Sequence, residues 1–360
     1  MVGKYDVIII GGGVIGCAIA RELSRFNIAV ALLEKQAEVG FGTSKTNSGI
    51  IHPGHDTGLD TLKGRLVVRG NALYDDLAAE LHFGFRRIGE INVAIEKSDL
   101  PTLERMKKQG EAKGVPGLEM WDQDRLRREE PNLSPALLGA LHTPSAGVIN
   151  PYEFAFALIE NAVRNGVALF VDSPVQSIVP DDDSIGVTTP RGTLQGHFVL
   201  NCTGVVSDQI EGLLGFHSFH IQPRKGEECM LDKRLKGLVR RLVFPVPTPT
   251  TKGILIIPTF DGTLMVGPTA HDVEDREDFS TTTQGAEEIF SFVRRLCPAI
   301  SPLDAITEFA GLRAVSDTND FVIGPTRVKG FLNVAGIQSP GLTCAPSIAE
   351  YVCDMLRSEG

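Results

Sequence analysis

Residues 5–35 read YDVIIIGGGVIGCAIARELSRFNIAVALLEK. YDVIII is a short, continuous apolar run, the mark of a strand buried on both faces of a parallel sheet. GGGVIG follows, and CAIARELSRF then carries apolar residues at helical spacing. NIAVALLEK is a second buried strand that ends on an acid. Two parallel strands joined by a helix imply a right-handed crossover. Gly11, Gly13 and Gly16 form G-x-G-x-x-G between the first strand and the helix. The first glycine permits a tight turn, the second lets a pyrophosphate approach the backbone, and the third lets the helix pack on the sheet. The helix start then offers free N–H groups to phosphates. Glu34 lies 18 positions beyond Gly16. A carboxylate there accepts hydrogen bonds from ribose hydroxyls and repels a 2′-phosphate. Alone, the glycines are no more than a Gly-rich turn. With both strands, the helix and the acid in place they predict dinucleotide binding, and they leave NAD and FAD both open.

The next stretch, TSKTNSGIIHPG (43–54), helps to separate them. Thr43, Ser44, Asn47 and Ser48 come just past the acid, where an extended cofactor continues from its adenosine half. Hydroxyls and backbone N–H groups suit a ribityl chain and pyrophosphate. On its own the stretch reads as an Asx/Ser-rich surface loop. His52 closes it before Pro-Gly.

Further along, FGFRRIGEINVAIEK (83–97) predicts a strand pair, and PTLERMKKQGEAKG (101–114) and DQDRLRREEP (122–131) predict charged surface helices, with RREE (127–130) solvated. INPYEFAFALIENAVRNGVALF (149–170) predicts an amphipathic helix running into a strand, with Asn150 as N-cap and Pro151 at the first helical position. HFVLNCTG (197–204) is a buried strand, and residues 219–270 alternate like antiparallel strands with Pro-rich turns at 245–251. GFLNVAGIQSPGLTCAPSIAEYVCDML (330–356) is a buried strand, a Gly-rich turn and a helix. The α/β features at the start, middle and end predict one doubly wound domain built from separated pieces. Residues 1–80, 141–215 and 306–360 form it, and a mixed β substrate domain at 81–140 and 216–305 is interleaved with it.

At 360 residues the chain is long enough for two such domains. Its formal net charge of -10 argues against a nucleic-acid surface, so an anionic substrate needs a local cluster of arginine or lysine. Six cysteines fall at 17, 202, 229, 297, 344 and 353 with no CxxC spacing. That signals neither zinc nor a local iron–sulfur site, and buried free thiols in a reducing cytosol are expected. The apolar N-terminal run lacks the flanks of a signal peptide, and no run reaches membrane-spanning length. A cytoplasmic protein follows, at most peripheral to the inner face of a membrane.

The GGGVIG turn, the LLEK strand end and the TSKTNSG loop resemble the N-terminal flavin signature of the D-amino-acid-oxidase-like FAD oxidoreductases. VLNCTGVVSD (199–208) is similar to that family's mid-chain signature. GLRAVSDTNDFVIGP (311–325) and GIQSPGLTCAPSIAE (336–350) are similar to its C-terminal one. Within the family, NSGIIHPG and VAGIQSPGLTCAP look most like anaerobic-type glycerol-3-phosphate dehydrogenases and L-2-hydroxyglutarate oxidases. Two departures stand out. The usual aromatic residue near Val206 is missing. Many anaerobic-type relatives also continue into a cysteine-rich electron-carrying domain that this sequence does not show, so the resemblance implies a short form or a separate partner that receives the electrons, such as a quinone, iron–sulfur or flavin protein.

The resemblance implies a glutathione-reductase-like, Rossmann-type FAD domain with an antiparallel-sheet α+β substrate domain. It implies non-covalent FAD, its pyrophosphate on Gly11, Gly13 and Gly16 and its adenosine ribose on Glu34, with Lys35 beside it. Thr43, Ser44, Asn47 and Ser48 line the flavin half, Val175 touches the adenine, and Gly204 and Gly311 let the chain pass close to the cofactor. Gly341, Leu342 and Thr343 open a helix whose N–H groups face the flavin pyrimidine edge and favour its reduction. His52 is the candidate base, since oxidising an alcohol releases a proton near neutrality; its structural reading is a hydrogen-bonded histidine before a turn. Arg313 is the candidate anion clamp; its structural reading is a surface ion pair with an acid such as Asp317. Arg224, Lys225 and Lys252 are weaker candidates, better read as a solvated face. The expected reaction is oxidation of a small anionic hydroxy compound, glycerol 3-phosphate first and L-2-hydroxyglutarate or another 2-hydroxy acid second. An amine substrate, or a flavin subunit without turnover of its own, stands behind these.

Overall fold

The computed structural model describes residues 3–247 and 253–359. YDVIII forms the end of the strand Gly3–Ile10, the helix runs Val14–Leu23, and the second strand is Val30–Leu33. The two strands pair in parallel, Val7 with Val30 through Ile10 with Leu33. Gly192–Asn201 pairs in parallel on the other side of the first strand, and Phe331–Ala335 lies in parallel beyond it. Ala168–Phe170 extends the sheet past Val30–Leu33. With Ser177–Pro180, Ile185–Thr189 and Val322–Pro325 the sheet has eight strands.

Both faces of this sheet are buried, which is why its strands are apolar without alternation. Ile9, Leu32 and Leu200 face a core shared with the helices Val14–Leu23, Pro151–Arg164 and Gly341–Glu359. Ile8, Ile10, Ala31 and Leu33 face the opposite way, onto Ile178, Ile185, Val187 and Leu194 of the antiparallel strands. The Pro151–Arg164 helix starts as its sequence predicts: the Asn150 side chain accepts the Glu153 N–H at 3.3 Å, with proline at the first position.

A second sheet has nine strands. Its spine is Ile221–Leu231, paired antiparallel along its length with Ala305–Ser316. Leu264–Gly267, Leu255–Pro258, Leu242–Pro245, Glu90–Ala94, Gly139–Thr143 and Glu119–Asp122 continue it. A separate core packs the helix Thr283–Leu296 against this sheet through Ile289, Phe290 and Val293. A small third sheet joins Ile50–Ile51, Gly147–Ile149 and Phe85–Arg87.

The structure corrects several local expectations. Both strands expected within residues 83–97 form, but Phe85–Arg87 joins the third sheet and Glu90–Ala94 the second, so they are not a pair. Gly139–Thr143 and Ala305–Ser316 both lie in the second sheet, and the expected junctions at 141 and 306 fall within these two strands. Within 219–270 the strands pair antiparallel, and Leu242–Pro245 also takes a parallel partner from outside the stretch, Glu90–Ala94. RREE is not wholly solvated: Glu130 is 1% exposed, accepts the Arg240 N–H and pairs with Arg241 at 3.0 Å. The turn at 245–251 and Lys252 lie partly or wholly outside the described residues.

Candidate functional site

The two large sheets meet over a cavity of 2070 Å³. The first strand–helix turn forms one end of it. Gly11 has φ +107, and a methyl group there would sit 2.5 Å from the Cys202 carbonyl oxygen. Gly16 is required for a different reason: its methyl would sit 2.0 Å from the Gly11 carbonyl, so only glycine lets the helix start this close to the strand end. Gly13 caps the helix without a side-chain bond. Glu34 accepts the Gly12 N–H at 2.7 Å and the Gln36 N–H at 2.9 Å. Each carboxylate oxygen has two lone pairs, so both keep capacity for a ribose hydroxyl.

The loop that follows is tied into the site. Ser44 Oγ accepts the Val14 N–H at 2.8 Å and so satisfies one of the orphan donors of the first helix. Thr43 donates to the Leu312 carbonyl at 2.7 Å. Asn47 folds the loop on itself, donating to the Ser44 carbonyl at 2.8 Å and accepting the Gly49 N–H at 2.9 Å. Gly311 makes this route possible, because a methyl there would lie 2.0 Å from the Thr46 carbonyl oxygen. Ser48 hydrogen-bonds Glu228 across the cavity floor.

His52 follows the short strand Ile50–Ile51 and is 9% exposed. Its backbone N–H donates to Thr343 Oγ at 2.8 Å, and its carbonyl accepts from Asn71 at 2.9 Å. Its ring lies edge-on to Phe244 with centroids 5.9 Å apart, and Nε2 is 3.4 Å from Ser339 Oγ. Arg313, on Ala305–Ser316, lines the same cavity. Among the described residues its guanidinium makes no hydrogen bond and no ion pair, Asp317 included. Burial pulls it below the usual arginine range, with the nearby Glu228 acting the other way.

Of the residues expected in the site, Gly11, Gly13, Glu34, Lys35, Thr43, Ser44, Asn47, Ser48, His52, Val175, Gly204, Gly311, Arg313, Gly341 and Leu342 line this one cavity. Gly16 and Thr343 do not: Gly16 is behind the turn, and the Thr343 side chain is spent on His52. Gly204 has φ +61 and open space around it. Arg224 lines the cavity but pairs with Asp272 at 2.6 Å. Lys225 points the other way along the strand, is buried, and pairs with Asp278 at 2.7 Å, so it is neither solvated nor in the site.

Four residues escape a reading of the sequence. Glu228 stands among other charged residues in the strand IQPRKGEECML, where one more acid gives no signal. Ser339, in the loop before the last helix, carries no signal of its own. Arg276 and Asp208 form a two-bond ion pair at 2.5 and 2.8 Å whose partners lie 68 residues apart. Among the described residues no group of three or more histidine, cysteine, aspartate or glutamate side chains could hold a metal, and no helix is long and apolar enough to cross a membrane.

Residues 6–355 match the DAO family, described as FAD dependent oxidoreductase. The chain is 42% identical to a glycerol 3-phosphate dehydrogenase of Caloramator mitchellensis, over 98% of this chain and 74% of that one. It is 28% identical to the mitochondrial L-2-hydroxyglutarate dehydrogenase of Homo sapiens, over 98% and 89% of the two chains. The solved structure of dithionite-reduced L-α-glycerophosphate oxidase from Mycoplasma pneumoniae with FAD bound has a TM-score of 0.93 to this fold at 28% identity, covering 98% of this chain and 95% of that one.

Proposed function

Since this chain belongs to the DAO family of FAD-dependent oxidoreductases, we propose that it oxidises sn-glycerol 3-phosphate to dihydroxyacetone phosphate. The observation that carries the reading is Arg313, a half-buried cation with no hydrogen-bonded protein partner among the described residues, in the cavity that also holds His52. The 42% identity to a glycerol 3-phosphate dehydrogenase supports the choice of substrate.

The residues fit the cofactor. The positive φ and crowded backbone of Gly11 form a cradle that any side chain would fill. Gly11, Gly13 and the start of the first helix would hold the pyrophosphate, Glu34 the adenosine ribose, and the N-terminus of Gly341–Glu359 the pyrimidine edge of the flavin. When bound, FAD supplies the hydride acceptor at N5. His52 takes the hydroxyl proton; its backbone is anchored by Thr343 and Asn71, and Phe244 and Ser339 restrict its ring. Arg313 receives the phosphate, whose oxygens match its planar fork. Burial strengthens that pairing by excluding water.

A carboxylate would fit Arg313 as well, so L-2-hydroxyglutarate is the second reading, supported by the 28% identical relative. Electrons then pass to a separate acceptor, a quinone or an iron–sulfur or flavin protein, and any contact with a membrane-bound acceptor is made at the protein surface. The test is anaerobic bleaching of the bound flavin. Glycerol 3-phosphate is expected to reduce it faster, at equal concentration, than L-2-hydroxyglutarate or a panel of 2-hydroxy acids. Faster bleaching by a hydroxy acid selects the second reading, and no bleaching by any of them ends both.

A further inference from the structure

The mechanism above leaves one buried acid unused. Glu228 is 3% exposed and belongs to the cavity wall. On the ladder of Ile221–Leu231 with Ala305–Ser316, Arg224 stands opposite Arg313, Gly226 opposite Gly311 and Glu228 opposite Phe309. Side chains two apart on a strand share a face, so Arg313 and Glu228 occupy one surface with only two glycines between them. The Arg313 guanidinium leans over the first of these, with one nitrogen 3.3 Å from where a Gly226 methyl would be.

Glu228 holds Ser48 with one oxygen, while its other oxygen is buried with no hydrogen-bond partner. Among the described residues Arg313 likewise has no hydrogen bond. The two charges are thus close and mutually felt, yet neither is locked onto the other. The rest of the surroundings offers Glu228 no second cation. Arg224 is committed to Asp272, and Lys225 on the opposite face to Asp278. Glu227, also on the opposite face, accepts from the Thr282 backbone and side chain at the start of Thr283–Leu296. Glu308 is engaged with Cys229. Leu264–Gly267, packed on the other side, brings only apolar residues and glycine.

Without substrate the two charges face each other, a half-buried cation against a buried anion. An arriving phosphate or carboxylate adds negative charge at a clamp that already has a counter-ion; Lys45, also on the cavity wall, is exposed and lies over the Phe41 ring at 3.2 Å. Resting on the reading of Arg313 as the anion clamp, we propose that Glu228 is the counter-ion that the substrate's anionic group displaces, and that Glu228 takes up a proton as that group binds. The proton comes from solvent, the carboxylate becomes a neutral carboxyl, and no bond in the substrate changes. The carboxyl is already poised for this: burial pushes it up to about 7, against the Ser48 hydrogen bond and the Arg313 charge. Neutral, it can donate a hydrogen bond from the oxygen that now lacks a partner.

The test measures binding without turnover. 3-Hydroxypropyl phosphate is glycerol 3-phosphate without the reacting hydroxyl, so it can occupy the site and cannot be oxidised there. Its binding to the FAD-loaded protein is followed by calorimetry at pH 8, where the ester is dianionic, in buffers of different ionisation enthalpy. Wild type is expected to take up about one proton per ligand. Its dissociation constant should weaken by up to about tenfold per pH unit above neutrality. Glu228→Gln keeps the shape and a partner for Ser48, and it should bind with essentially no proton uptake and a flat pH profile. A merely structural role for Glu228 would alter affinity and leave the proton count unchanged. Binding without uptake in wild type, or equal uptake in Glu228→Gln, overturns the proposal and leaves the assigned reaction standing. If the analogue does not bind and glycerol 3-phosphate does not bleach the flavin, the clamp reading and this inference fall together.

Discussion

His52 and Arg313 share one cavity but are asked to do different things, so their loss should look different. His52→Ala removes the proton acceptor and is expected to slow flavin reduction by roughly 10²–10⁴-fold with substrate affinity nearly intact. Arg313→Ala should instead weaken binding, since the substrate's anion loses a two-pronged partner. It also leaves Glu228 without its counter-charge. Rapid-mixing reduction at several substrate concentrations separates the limiting rate from the apparent affinity. A normal limiting rate in His52→Ala would return the histidine to a structural role, which its bonds to Thr343 and Asn71 could fill. At this scale the sequence singles out Glu34, His52 and Arg313 by residue type, and the fold gathers all three on one cavity. It is silent on Glu228 and on the bond of the Thr343 side chain to the His52 backbone. The partners of those two lie 180 and 291 residues away, and only the fold brings them together.

Among elements, the site depends on how closely a loop can cross a strand. The loop at 43–48 passes directly over Gly311, with Thr46 carrying the close contact, Thr43 anchoring it on Leu312 and Ser48 on Glu228. Gly311→Ala would place a methyl 2.0 Å from a backbone oxygen that has no flexible side chain to yield. The loop must lift, and Ser44 and His52 move with it. The expected result is a folded protein whose FAD affinity and flavin reduction both fall by tenfold or more, read by titrating apoprotein with FAD and by circular dichroism. Unchanged affinity would mean that the loop position is not what the cofactor needs. The elements themselves were legible wherever their signal is local, as in the first strand–helix–strand unit and the Asn150-Pro151 start. Phe85–Arg87 and Glu90–Ala94 misled because strand pairing is a long-range choice: each prefers a distant partner to its neighbour.

Across the whole molecule, the connection leading to the helix Thr283–Leu296 is tied by Arg276 to Asp208, in the short helix Ser207–Gly212 that follows the first sheet's strand Gly192–Asn201, and to the Ile221 carbonyl of the second sheet. Burial acts to raise the Asp208 carboxyl, but the Arg276 bonds and the Ile221 and Gln209 N–H groups outweigh it and hold the carboxyl below its usual range. A depressed carboxyl contributes stability that is present above its unfolded value, about 3.9, and is lost as pH falls through the folded value. Arg276→Ala should cost about 2–3 kcal/mol near neutrality, somewhat less than a fully buried pair because the guanidinium is partly exposed. Its melting temperature should fall less than that of wild type between pH 5 and about pH 3. Thermal melts across that range check it, and parallel curves would show that the tie does not bear on stability. The interleaving of the two sheets was legible from the spread of α/β segments along the chain. The placement of Ala305–Ser316 was not, because its hydrophobic pattern suits either sheet and only the eleven-rung partnership with Ile221–Leu231 decides it. Thiol chemistry gives the assembled molecule one more property. All six cysteines are buried and none forms a disulfide, and burial drives those of Cys17 and Cys202 far above the range in which a thiolate forms. The folded chain is therefore a blank to maleimides and to Ellman's reagent: a single cysteine placed at an exposed position such as Ser358 becomes its one labelling handle, and colour appearing in the unmodified protein is a clock for its unfolding.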